Sequence, residues 1–142
     1  MTIAAILGGK GRDVVTITGD RTVRDAVALL AEWRIGALPV TEGEAVVGIF
    51  SERDVIGCLE RSGAQALDAP VRAVMTAPAI TVTRDEPVLG ALSLMTRRRI
   101  RHLPVMDGAA LVGFVSIGDL VKYRIERIET EANQMRAYIQ AV

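Results

Sequence analysis

Cysteine, histidine, aromatic residues and net charge are all scarce in this 142-residue chain, and each scarcity removes a class of protein. A single cysteine, Cys58, rules out an internal disulfide framework and reads as a small buried hydrophobe with no activating neighbour. The single histidine, His102, has no second histidine or cysteine at ligand spacing, so no metal site is expected. Lys plus Arg number 17 and Asp plus Glu number 17. Nucleic-acid binders carry a basic surplus that neutralises phosphates, so none is expected as a partner. No uninterrupted apolar run approaches the roughly 20 residues that a membrane span needs. The opening stretch places its charges after a very short apolar segment, unlike a secretory signal, and a cytoplasmic location is the expectation. Also missing are a glycine-rich phosphate loop and any nucleophile with an orienting base, so a non-enzymatic role is expected.

What the chain does have is aliphatic bulk. Half its residues are hydrophobic but only 4% are aromatic, a composition suited to strands buried on both faces beneath helices. It also has an internal repeat. A shift of 65 positions sets Leu38-Pro39-Val40 on Leu103-Pro104-Val105, and Val47-Gly48 on Val112-Gly113. The same shift sets Arg34-Ile35 on Arg99-Ile100, Ser51 on Ser116 and Asp54 on Asp119.

Each copy follows one plan. A short strand (14–17; 79–82) leads through a turn to a helix with apolar residues at i, i+3, i+4 and i+7: Val23, Ala26, Val27, Leu30, then Val88, Ala91, Leu92, Met95. Two strands follow (37–40 and 45–50; 103–105 and 111–115), joined by turns containing Gly43 and Gly108. A second helix starts at Ser51 or Ser116. The expected class is therefore α/β of the α+β type: two β-α-β-β-α repeats related by a pseudo-twofold. Residues 1–66 form repeat one with a lead-in helix, 67–125 repeat two, and 126–142 a helical extension. Such units are too small to be stable alone, and packing them together creates two equivalent clefts. From Val121 the apolar residues Ile125, Ile128, Ala132, Met135 and Ile139 recur at heptad-like spacing. That helix serves either as a dimer contact or as a cover over its own domain.

Both copies carry glycine, two apolar residues, serine, two variable residues and aspartate at a strand-to-helix junction: Gly48 to Asp54 and Gly113 to Asp119. Serine with an acid three residues on makes a capping box. The same geometry offers helix N–H groups to an anion and a carboxylate to ribose hydroxyls. Both readings stand.

The paired arrangement resembles tandem CBS domains, the cystathionine-β-synthase-type module, through Ile35 to Val40 with Val47 to Asp54, and Ile100 to Val105 with Leu111 to Asp119. The resemblance implies a regulatory module binding adenosine-containing ligands, AMP, ADP, ATP or NAD(H), as effectors and not as obligatory cofactors; S-adenosylmethionine is a further family ligand. It assigns the ribose to Asp54 and Asp119, with Ser51 and Ser116 near sugar or phosphate. Each cleft borrows from the opposite copy: Val15, Gly36 and Ala37 for the Asp119 cleft, Ile80 and Ile100 for the Asp54 cleft. Arg101 and His102 are the phosphate candidates, where copy one has only Gly36 and Ala37. Arg53 stands opposite Gly118 and partly compensates. Arg97, Arg98 and Arg99 read as a solvated helix end, and Trp33 as packing or dimer contact. A homodimer of such pairs and a regulated protein partner are further expectations, with an interaction adaptor whose clefts are vestigial as the alternative.

Overall fold

A computed structural model describes residues 1–10 and 13–141; Gly11, Arg12 and Val142, inside the expected first repeat and the C-terminal extension, lie outside it. The chain runs α1 (Ile3–Lys10), β1 (Ile17–Thr18), α2 (Val23–Trp33), β2 (Ala37–Glu42), β3 (Ala45–Ser51) and α3 (Glu52–Ser62). Two 3-10 turns (Gly63–Asp68 and Val71–Ala73) lead to α4 (Val88–Arg98), β4 (His102–Asp107), β5 (Ala110–Ser116) and α5 (Ile117–Ala141). This is the expected α+β repeat, drawn twice.

In each copy a helix buries one stripe: Val23, Ala26 and Leu30 of α2, and Val88, Ala91 and Met95 of α4. Thr22 starts α2 with a full capping box to Asp25. Both helices stop at an arginine in left-handed backbone, Arg34 (φ 53°) and Arg99 (φ 55°), whose N–H groups close on Leu30 and Met95. The β2–β3 and β4–β5 hairpins pair in the same register, His102 to Ser116 matching Ala37 to Ser51.

The leading strand of each copy is shorter than the sequence predicts, and proline explains it. β1 pairs parallel to β2 only at Ile17 and Thr18, not over 14–17. In copy two, the expected strand 79–82 reduces to a single bridge between Val82 and Val105. Val82 N–H donates to Pro104 O (3.0 Å) and Met106 N–H to Val82 O (2.8 Å). The next rung back needs an N–H from Pro104, which has none; Pro39 is its match. The ladder stops, and the backbone at Val15 and Ile80 is released toward the clefts.

The cores are interlaced. Ile3, Ile6 and Leu7 of α1 are buried with Val82, Val88, Met95, Leu103, Val115 and Leu120 of the second copy. Ala66 and Val71, in the segment that joins the copies, are buried with Val23, Leu38, Val40 and Phe50 of the first. The lead-in helix expected with repeat one thus packs in repeat two. Here the 65-residue register also breaks. Ile3 N–H donates to Glu86 O (2.9 Å) and Val71 N–H to Arg21 O (2.7 Å); Ala4 pairs with Arg84 and Arg72 with Gly19. Ile3 corresponds to Val71, an offset of 68, so copy one carries three extra residues between its lead segment and its first strand. At the other end, α5 runs unbroken through position 126. It buries Leu120 but exposes Ile125, Ile128, Met135, Tyr138 and Ile139, so it does not fold back as a cover.

Candidate functional site

Two clefts open where the copies meet, with cavity volumes of about 500 Å³ and about 450 Å³. Each has one capping-box aspartate at its base and the loop preceding the opposite copy's hairpin as its far wall.

The box itself is real in both copies. Ser51 Oγ accepts from Asp54 N–H (3.4 Å) while Asp54 Oδ2 accepts from Ser51 N–H (2.9 Å). Ser116 and Asp119 repeat this at 3.1 and 2.8 Å. The helix ends therefore offer an anion less than the sequence suggests. Besides the amide closed by serine, Glu52 N–H donates to Gly36 O (3.0 Å) and Ile117 N–H to Arg101 O (2.8 Å). What the box leaves to the first cleft is Asp54 Oδ1, which accepts from the exposed Thr76 hydroxyl at 3.0 Å.

The Asp54 cleft is lined by Ser51, Arg53, Ile80, Ile100, Arg101 and His102, as expected, together with Gly36 and Glu52. It also gathers Thr76, Pro78, Ala79, Arg98 and Arg99. The last two are exposed, as expected of a helix end, and line the cleft as well. Arg53 reaches across and donates to Arg99 O (3.3 Å). Four guanidiniums face two carboxylates here, Glu52 and Asp54.

The Asp119 cleft brings together Val15, Gly36, Ala37, Ser116 and Asp119, again as expected, with Lys10, Asp13, Val14, Arg34 and Phe114. Trp33, read from sequence as packing or dimer contact, lies on this wall and is 55% exposed. Gly118 is exposed and lines neither cleft. Lys10 Nζ donates to Asp119 Oδ2 (2.5 Å) and Phe114 O (2.7 Å). Burial pushes the Asp119 carboxyl up, but the Lys10 hydrogen bond and the Ser116 N–H outweigh it and hold it below its ordinary value.

Gly36 and His102 border both clefts. A Cβ on Gly36 would stand 3.4 Å from His102 Cε1, so the glycine backbone lies directly against the imidazole. The ring stacks on Phe114 with centroids 5.5 Å apart and planes 16° apart. Its pKa is lowered, by burial first and then by Lys10 and Arg101, with Asp119 opposing. Among the described residues no group of histidine, cysteine and carboxylate side chains could hold a metal, and no helix is long and apolar enough to cross a membrane.

Lys10 and Thr76 were missed because they lie in the lead segments, where the repeat is out of register. For Lys10 the available signal was the cation that the Asp119 carboxylate would need; Thr76, being neutral, gave none.

The CBS domain family model matches residues 11–61 and 71–126. The chain is 36% identical to the mitochondrial CBS domain-containing protein CBSX3 of Arabidopsis thaliana, covering 98% of this chain and 72% of that one. It superposes on the CBS-domain protein ATU1752 of Agrobacterium tumefaciens with a TM-score of 0.85 at 36% identity, over 87% of this chain and 99% of that one. The CBS domain pair of protein MJ0100, solved with 5′-methylthioadenosine and S-adenosyl-L-methionine, gives a TM-score of 0.79 at 23% identity, over 89% and 98%.

Proposed function

The chain belongs to the CBS domain family, and on that premise we propose that it is a non-catalytic sensor which binds an adenosine-containing ligand, AMP, ADP, ATP or NAD(H), between its two copies. The observation that carries this is the Asp54 cleft. A carboxylate oxygen left over from the capping box opens into a cavity of about 500 Å³ whose opposite wall is basic. Ribose hydroxyls donate to Asp54 in place of the Thr76 hydroxyl, beside Ser51. The unladdered backbone at Ile80 and the Ile100 side chain flank the base. Arg53, Arg98, Arg99, Arg101 and His102 meet the phosphates.

That two adenosyl compounds were found bound to the MJ0100 pair supports the nucleoside end. The four guanidiniums favour a phosphorylated ligand over a cationic sulfonium one. Output then passes through a change in how the copies, or two chains, pack. A second reading, a protein-interaction adaptor or homodimer acting through α5, is favoured by the exposed Ile125, Ile128, Met135 and Ile139 on that helix.

Calorimetric titration of AMP, ADP, ATP, NADH and S-adenosylmethionine tests the first reading. A phosphorylated ligand is expected to bind, and Asp54→Ala to weaken it about 10- to 150-fold, equivalent to roughly 1.5–3 kcal/mol for hydrogen bonds to a charged group. No binding at millimolar concentration leaves the adaptor reading.

A further inference from the structure

The two aspartates are held by different chemistry, and the difference arises in the lead segments, where the two copies are three residues out of register. In the Asp54 cleft Thr76 plays two parts: its N–H donates to Ile49 O (2.9 Å) and its hydroxyl to Asp54 (3.0 Å). In the Asp119 cleft one ammonium, that of Lys10, takes Phe114 O, the counterpart of Ile49 O, together with Asp119 Oδ2, the oxygen that also accepts from the Ser116 N–H. The lead segment of copy two ends its short turn at Ala73, whereas α1 continues to Lys10 and delivers the side chain across the cleft mouth.

A hydroxyl is neutral and turns aside for a ribose. An ammonium is not so readily displaced: its bond to a carboxylate is charge-assisted, and it cannot accept the hydrogen bond that a ribose hydroxyl offers. The anchor is firm at both ends. α1 is fixed by Ile3 and Leu7 in the second core, and Asp119 by the Ser116 capping box. We propose that Lys10 is a built-in plug of the Asp119 cleft, its charged ammonium bridging the Asp119 carboxylate and Phe114 O where a ribose would lie, so that each chain takes one adenosine ligand, at Asp54. This rests on the adenosine reading above. Volume is not what separates the clefts, since the two are of similar size.

The test is stoichiometry, read by calorimetry with AMP and with ATP on the full chain and on Lys10→Met and Lys10→Gln. Lys10 is at the exposed end of α1, and melting curves check that each variant folds. Wild type is expected to bind one ligand per chain and both variants two. Adding Asp54→Ala to Lys10→Gln should leave one, and adding Asp119→Ala instead should also leave one. A wild type that binds two per chain, or variants that still bind one, overturns the plug while the adenosine reading stands. If neither probe binds wild type or variants, the adenosine reading falls and the plug with it.

Discussion

The stretch Arg98-Arg99-Ile100-Arg101-His102 and its counterpart Trp33-Arg34-Ile35-Gly36-Ala37 occupy the same place in the two copies and wall opposite clefts. Around them the copies agree closely. The hairpins share their pairing, the helices end at the same left-handed arginine, and Ser51–Asp54 and Ser116–Asp119 form the same box. What differs is the chemistry facing the cavity: several guanidiniums and an imidazole on one side, an indole, one guanidinium and no further charge on the other. Positions shared between the copies therefore mark the scaffold, and those that diverge mark where each cleft has its own task.

The largest expected effect tests the interlacing of the cores. Ile3 and Val71 are structural counterparts and both fully buried, yet each is buried against the other's copy. Ile3→Ala is expected to cost about 2–5 kcal/mol in urea denaturation. Hydrogen exchange should quicken first at β4, β5 and α4, and not in the copy that α1 precedes. Loosening of β2 and β3 instead would break the comparison.

A smaller effect separates the motif glycines. A Cβ on Gly48 would fall 2.7 Å from Met75 Sδ and 2.8 Å from the Thr76 carbonyl, which is backbone tied to β3. On Gly113 the three nearest atoms all belong to the Leu7 side chain, not to backbone. Gly48→Ala should cost about 1–3 kcal/mol and also weaken ligand, since it pushes Thr76 off Asp54. Gly113→Ala should cost less, and an equal cost for both would mean that α1 is as rigid as the Thr76 strand edge.

The mildest effect is with pH. His102 has a folded pKa below its ordinary 6.5, because burial, Lys10 and Arg101 disfavour the imidazolium. Between that folded value and 6.5 the unfolded chain binds a proton that the folded chain refuses. Stability should therefore be flat above about 6.5, fall as the pH drops through that window, and level off below it. Asp119 contributes a separate loss, beginning only below its ordinary 3.8. His102→Gln should remove the first step in melting temperature and leave the second.

Much of this was legible in sequence because it was written twice. Val15, Gly36 and Ala37 meet Asp119, and Ile80 and Ile100 meet Asp54, as the repeat and its family resemblance imply. The hairpins and both capping boxes follow from local patterns of glycine, serine and acid. Two things escaped. Strand length depends on a missing N–H one strand away, at Pro39 or Pro104, which propensity within 14–17 or 79–82 does not record. The lead segments are short and displaced by three residues, so they yield no repeat signal, and their partners lie in the other copy. Arg98 and Arg99 are solvent-exposed at a helix end, as such cations ordinarily are; that they also line the cleft depends on which copy packs opposite, which the local pattern does not record.

The interlaced cores also bear on how the chain is made. α1 is made before the elements it packs on, and the surface that buries Ile3 and Leu7 is complete only once β5 and Leu120 have emerged. At about 5–20 residues per second, that delay is on the order of ten seconds. Throughout it a short apolar helix waits without its partner, while copy one likewise cannot finish its core until Val71 arrives. Neither half matures alone during synthesis, and the second core closes only when α1 returns to it.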